Sequence, residues 1–230
     1  MNHSPFLDLR IGDCMDLMRE TPDNYYDLAV VDPPYGIGES GSTNKSRGKL
    51  AIAKDYKPFA GGDKTSPPIE YFQELERVSK HRVIWGANHF MEKVIKGSPS
   101  WIVWDKQNNG NDFADAELAY TSHNRACRIF RFMWNGMLQG DMKNKETRIH
   151  PTQKPVKLYD WIFANYAEKG MKVLDTHMGS GSIAIAAHYA GIYLTAIELD
   201  QDYFKAACER VERETRQMDF FTEGSEEIIA

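Results

Sequence analysis

The stretch KVLDTHMGSGSIAIAAHYAGIYLTAIELD, residues 172–200, decides how the chain folds. KVLD is a short apolar run closed by Asp175. Gly179 and Gly181 break it, SIAIAAHYAG repeats apolar residues at helical spacing as far as Gly191, and YLTAIEL is a second apolar run. Strand, glycine turn, helix and strand make one βαβ unit. The turn suits a nucleotide. Its glycines let the backbone approach a ligand, the helix behind it points N–H groups outward, and Glu198 stands nineteen residues past Gly179, where an acid can accept both ribose hydroxyls. A GxG turn alone fits NAD nearly as well as S-adenosylmethionine. Ala184, where a third glycine would complete the dinucleotide pattern, tilts the balance away from NAD.

The same alternation extends outward. LAVV (28–31), RVIW (82–85), WIVW (101–104), ELAYT (117–121) and RIFRFMW (128–134) read as strands, several too continuously apolar for a half-exposed sheet. Helical patterns lie among them. SPPIEYFQELERVSK takes Ser66 as N-cap and Pro67 as its first helical residue, PVKLYDWIFANYAEKG takes Gly170 as C-cap, and QDYFKAACERVERETR follows the last strand. The pattern predicts an α/β fold: a doubly wound, mostly parallel sheet with helices on both faces, in one domain spanning 1–230. Ligands of such sheets sit beyond the carboxyl ends of the strands, so chemistry is sought there. Long loops at 36–66, 105–116 and 135–150 interrupt the alternation, and the acidic tail 219–230 reads as disordered.

With 42% hydrophobic and 27% charged residues and no long apolar run, the chain has the composition of a soluble protein; it shows no export signal, and a cytoplasmic setting is expected. Cys14, Cys127 and Cys208 have neither disulfide nor zinc spacing, so no metal is expected. The net charge of −5 conceals a division: residues 43–64 carry +4 and residues 121–157 carry +6, leaving −15 on the rest. If both basic segments share a face, that face attracts a polyanion; two solvated loops fit the charge equally well.

One strand ends unlike the others. LAVVDPPYGIG (28–38) runs into an acid, two prolines and an aromatic. An exocyclic amine on adenine or cytosine is a poor nucleophile, because its lone pair is conjugated into the ring. Two acceptors, one for each N–H, would draw the nitrogen toward tetrahedral geometry. Asp32 supplies a carboxylate, and the fixed φ angles of Pro33 and Pro34 hold a backbone carbonyl rigid as the second acceptor. Tyr35 offers a flat face for a base taken out of its helix.

The order GDC (12–14), DPPYG (32–36), WDK (104–106), HPTQKP (150–155), DTHMGSG (175–181) and ELD (198–200) resembles the β-class amino-methyltransferases of DNA, the adenine-N6 and cytosine-N4 enzymes, over Leu9 to about Arg216. The resemblance implies a Rossmann-like methyltransferase sheet, S-adenosyl-L-methionine as cofactor, double-stranded DNA as partner, and methylation of the kind found in restriction–modification systems. Asp32, Pro33, Pro34 and Tyr35 match the catalytic tetrapeptide. Asp175, Gly179, Ser180 and Gly181 match the cofactor loop, and Glu198 the ribose acid. Thr152 and Lys154 would help hold the methionine end, and Asp13 looks like the acid near the cofactor's adenine. DPPY resembles the adenine members, so adenine is favoured over cytosine; an RNA adenine methyltransferase is the further enzyme alternative. Thr176 and His177 depart from the Pro-Phe common in this loop, and His177 reads as a satisfied polar residue rather than a base. The region between RIFRFMW and HPTQKP is short, which implies a short or relaxed recognition sequence. Family members often pair, so a homodimer is the protein partner implied, although no interface signature stands out. A catalytically silent nucleic-acid-binding subunit remains the alternative from another class.

Overall fold

The computed structural model describes residues 4–38, 63–94, 97–108, 114–135 and 138–223. Most of the first basic segment, the centre of the 105–116 loop and residues 224–230 of the acidic tail lie outside the described residues. β1 (Leu7–Ile11) leads into α1 (Cys14–Glu20), then β2 (Tyr26–Val31), α2 (Ile69–Val78) and β3 (Ser79–Trp85). A short helix α3 (Met91–Val94) precedes β4 (Trp101–Asp105), β5 (Ala116–Thr121) and β6 (Arg128–Arg131). A small hairpin of β7 (Trp134–Asn135) and β8 (Leu138–Gln139) leads to α4 (Val156–Tyr166), β9 (Lys172–Asp175), α5 (Ser182–Ala190), β10 (Tyr193–Glu198) and α6 (Gln201–Glu223).

Eight strands form one sheet in the order β1-β10-β9-β2-β3-β5-β4-β6. Only β5 runs against its neighbours, β3 and β4. Because every strand but β5 points the same way, the carboxyl ends of the parallel strands and the amino end of β5 share one edge. The order in which strands are added to the sheet reverses between β9 and β2, which pair in parallel through Leu28↔Val173 and Ala29↔Leu174. This is the switch point at which such sheets open a crevice. Alternate residues of the central strands feed two cores. Leu28, Val30, Val83 and Val173 pack with α4, α5 and α6 on one face. Ala29, Val31, Ile84 and Leu174 pack with α1 and α2 on the other. Burial on both faces explains why these strands read as unbroken apolar runs.

Two helix boundaries differ from expectation. α2 is capped by Pro68, not Ser66. Pro67 precedes a proline, which disfavours the helical region for it, and Ser66 Oγ instead accepts a bond from Lys93 Nζ at 2.7 Å. α4 ends at Ala167, whose N–H donates to the Phe163 carbonyl. Gly170 lies beyond the helix with φ +86°, and its N–H donates to the carbonyl of Gly191. RIFRFMW is also split, its last residue belonging to the hairpin. α6 runs on to Glu223, so residues 219–223 of the expected disordered tail are helical. The helix closed by Gly191, φ +64°, is as expected.

Candidate active site

Two loops meet at the switch point. The first follows β2. Asp32 Oδ1 accepts the Tyr35 hydroxyl at 2.8 Å, and Oδ2 accepts Lys154 Nζ at 2.5 Å. The same ammonium lies 3.1 Å from Glu117 Oε2 and 3.2 Å from the Tyr35 oxygen. Glu117 Oε1 is in turn bonded by Lys106 Nζ. Five residues from four parts of the chain thus form one half-buried, charge-balanced network. Burial raises the Asp32 carboxyl; Lys154 opposes this and Glu117 adds to it, and the net shift is upward. Burial also acts to raise Glu117, but Lys154 and Lys106 override it and hold that carboxyl down at about 2.

The backbone around the tip is fixed by neighbours. Gly86, at the end of β3, has φ +68°, and a Cβ placed there would lie 2.1 Å from Tyr35 Cε1, so only glycine admits the ring. His89 stacks on Tyr35 with centroids 5.1 Å apart and planes 15° apart. A base stacked on Tyr35 must therefore use the opposite face or displace His89. Asp63 is buried, and its carboxylate accepts the N–H groups of Gly36 at 2.8 Å and Ile37 at 3.3 Å. Its carbonyl accepts the N–H of Gly38.

The second loop follows β9. Asp175 is 3% exposed, accepts the His177 N–H at 3.0 Å, and forms no ion pair among the described residues. Burial pushes its carboxyl up to about 8, with Asp32 and Glu198 adding to the shift. Gly179 and Gly181 both have positive φ, and Gly181 sits as the N-cap of α5, where a Cβ would lie 2.9 Å from Val211 Cγ2. Glu198 Oε2 accepts the Gly179 N–H at 2.8 Å, and Oε1 accepts that of Asp200 at 3.0 Å. Arg210, buried beneath, donates to the Ser180 carbonyl and to Ser182 Oγ and pairs with Glu146 at 2.7 Å. It ties the glycine turn to the segment preceding α4.

These acceptors suit a cationic nucleotide. Among the described residues Asp175 is a buried acid with no ion-pair partner, Glu198 retains lone pairs beyond the backbone bonds it accepts, and the turn is glycine where the backbone must stay bare. The remaining expected site residues are arranged as follows. Asp13 caps α1 by accepting the Met15 N–H at 2.8 Å, one residue beyond Gly12, whose N–H donates to the Glu198 carbonyl. Thr152 is exposed and bonds His150 Nδ1 through its hydroxyl at 3.1 Å. Lys154 stands in the Asp32 network. Pro33 is buried and Pro34 half-buried behind the tip. The Tyr71 hydroxyl meets Thr176 Oγ1 at 2.5 Å, and Thr176 meets His177 Nδ1 at 2.9 Å, so His177 has a partner as expected. Burial lowers that imidazole to about 4, and it is neutral near pH 7.

Sequence reasoning assigned no role to Glu117, Lys106, Gly86, His89, Asp63 and Arg210. Glu117 carried a signal: it is an acid at the head of an otherwise apolar strand, and antiparallel β5 delivers its beginning to the edge where the other strands deliver their ends. Most of the first basic segment lies outside the described residues, and the charges of the second are dispersed. Lys154 is buried in the site, and Arg125 donates to the Asn165 carbonyl near the end of α4, at the amino ends of the strands.

The chain is similar to known proteins along most of its length. A family model described as DNA methylase matches residues 120–209. An Escherichia coli (strain K12) protein named as a methylase, YubD, is 26% identical over 225 residues, covering 90% of this chain and 91% of that one. The type II methyltransferase M2.MboI of Moraxella bovis is 25% identical over 224 residues, 79% of this chain and 80% of that one. The structure of an M1.HpyAVI–SAM complex aligns with TM-score 0.53 at 20% identity, covering 89% of this chain and 99% of that one. Among the described residues no helix is long and apolar enough to cross a membrane, and no cluster of metal-binding side chains is found.

Proposed function

We propose that this chain is a member of the N6/N4 DNA methylases, whose family model matches residues 120–209, and that it methylates the N6 amine of adenine in double-stranded DNA with a short or relaxed recognition sequence. S-adenosyl-L-methionine is the cofactor and supplies a methyl group made electrophilic by its sulfonium centre. Asp175, Gly179, Ser180, Gly181 and Glu198 would hold it, with Asp13, Thr152 and Lys154 beside them. The observation that carries the reading is adjacency: Asp32 and Asp175 end neighbouring strands at the switch point, so an acceptor for an amine stands beside a nucleotide turn.

Asp32 accepts one N–H of the extruded base, and the carbonyl held by Pro33 and Pro34 accepts the other. Both acceptors are anchored before the amine arrives, so orientation costs little at the reacting geometry. As the methyl–nitrogen bond forms and the methyl–sulfur bond breaks, leaving a neutral thioether, the amine would become acidic. Asp32, whose carboxyl burial holds above its ordinary value, takes the proton and passes it to solvent. Tyr35 would stack the base on the face that His89 does not cover, or in place of His89. The domain spanning 1–230 would hold both the cofactor turn and the catalytic tip, with the segments at about 36–66 and 135–150 contacting DNA.

Two assays test this. S-adenosylmethionine is expected to raise the melting temperature, and NAD to leave it unchanged. Labelled methyl should pass from the cofactor to duplex DNA and resist competition by RNA. No transfer to either nucleic acid would refute the reading, and preferential transfer to RNA would move the substrate.

A further inference from the structure

Both oxygens of Asp32 already carry a donor, the Tyr35 hydroxyl on one and the Lys154 ammonium on the other. A carboxylate engaged by an ammonium at 2.5 Å is a poor acceptor for a second, weaker donor, since the cation drains its negative potential. Asp32 keeps lone pairs beyond these two bonds, but an amine gains its full hydrogen bond to Oδ2 only once Lys154 has moved off it. Releasing a buried ammonium with nowhere to go costs several kcal/mol.

We propose that Glu117 is the positioning residue that takes over the Lys154 ammonium when the target amine engages Asp32. This deepens the proposed function and rests on it. Glu117 Oε2 is 3.1 Å from Lys154 Nζ and 3.5 Å from the Tyr35 hydroxyl, so both donors now on Asp32 have a second acceptor within reach. The Glu117 carboxylate is fixed on its far side by Lys106, which bonds Oε1 and leaves Oε2 turned toward the tip. Lys154 is only 5% exposed at its side chain, so water cannot replace this acceptor. Four charges, two of each sign, stay balanced while one ammonium shifts between two carboxylates. The exchange asks for no net burial of charge. Glu117 touches neither reacting atom; it acts through Lys154.

Replacing Glu117→Gln keeps the shape and removes the charge. Lys154 should then stay on Asp32, lowering kcat on the order of 10²-fold, with KM for DNA within about three-fold of wild type. The rise in melting temperature on adding S-adenosylmethionine should persist, because the glycine turn is untouched. A purely structural role would lower stability and kcat together and would multiply with other losses. In a double-mutant cycle, E117Q should therefore cost nothing further once Lys154→Met has removed the ammonium. Wild-type kcat in E117Q, or losses that multiply in the double variant, would overturn the proposal. Should E117Q fail to fold, Glu117→Asp keeps the charge and shortens its reach; lowered kcat at unchanged KM supports the proposal, and unchanged kcat overturns it. A wild-type protein that transfers no methyl fails the proposed function instead, and the two failures are distinct.

Discussion

Two acids on the same edge of one sheet, Glu117 at the tip beyond β2 and Asp175 at the turn beyond β9, are held at opposite ends of the carboxylate range. Glu117 is paired with two lysines and stays down at about 2; Asp175 accepts a backbone N–H, has no ion pair among the described residues, and is pushed up by burial to about 8. The tip is neutralised from within, by side chains drawn from residues 32, 35, 106, 117 and 154. The turn is built from its own backbone and leaves its acid uncompensated. Each arrangement matches its work. On the proposed function, the acceptor for the amine is held in place by its neighbours before the amine arrives, while the turn keeps an acid that a cationic cofactor would complete.

The largest break in this comparison comes from Asp32→Ala. Turnover should fall on the order of 10³-fold while cofactor-induced stabilisation remains, measured by methyl transfer and thermal melting in parallel. Next is Gly86→Ala, which forces a methyl into the Tyr35 ring and fixes φ +68° on a side-chain-bearing residue. Turnover should drop about 10²-fold through a displaced Tyr35, again with the cofactor response retained. Gly181→Ala acts on the other region. The clash with Val211 and the positive φ should cost about 1–3 kcal/mol in denaturant unfolding and weaken the cofactor's stabilising effect.

The smallest effect sharpens the contrast through pH. Burial raises the folded-state Asp175 carboxyl, so its protonated form is favoured by folding. That contribution is complete below the ordinary carboxylate range and is lost as pH rises through about 8. Wild-type melting temperature should therefore fall by on the order of 5 °C between about pH 5 and pH 9 on this account, and Asp175→Asn should flatten the slope. Glu117, already ionised throughout that window, should contribute none of it.

The two regions also differ in how far the sequence discloses them. The turn was legible because its logic is local: strand, two glycines, helix and a second acid all fall within residues 172–200. The parallel sheet was legible for the same reason, repeated along the chain. Asp32 and Tyr35 were legible because an acid and two prolines after an apolar run have a chemistry of their own. Their surroundings were not. Glu117 lies 82 residues from Tyr35, and Lys154 lies 122 from Asp32; only the reversed direction of β5 and the approach of α4 bring them together. His89 and Gly86 directly follow β3, but no local pattern says that a tyrosine ring will rest on them. Ser66 misled because a good capping residue stood before two prolines, and the second of these decided where the helix begins.

The central claim is that the tip holds an exocyclic amine beside a methyl donor. Mass spectrometry of nucleosides from DNA incubated with the protein and S-adenosylmethionine tests it most directly. The account predicts N6-methyladenine, absent when Asp32→Ala replaces the wild type. N4-methylcytosine alone would contradict the choice of adenine, and a methyl group on a ring carbon, or on no base at all, would contradict the claim itself.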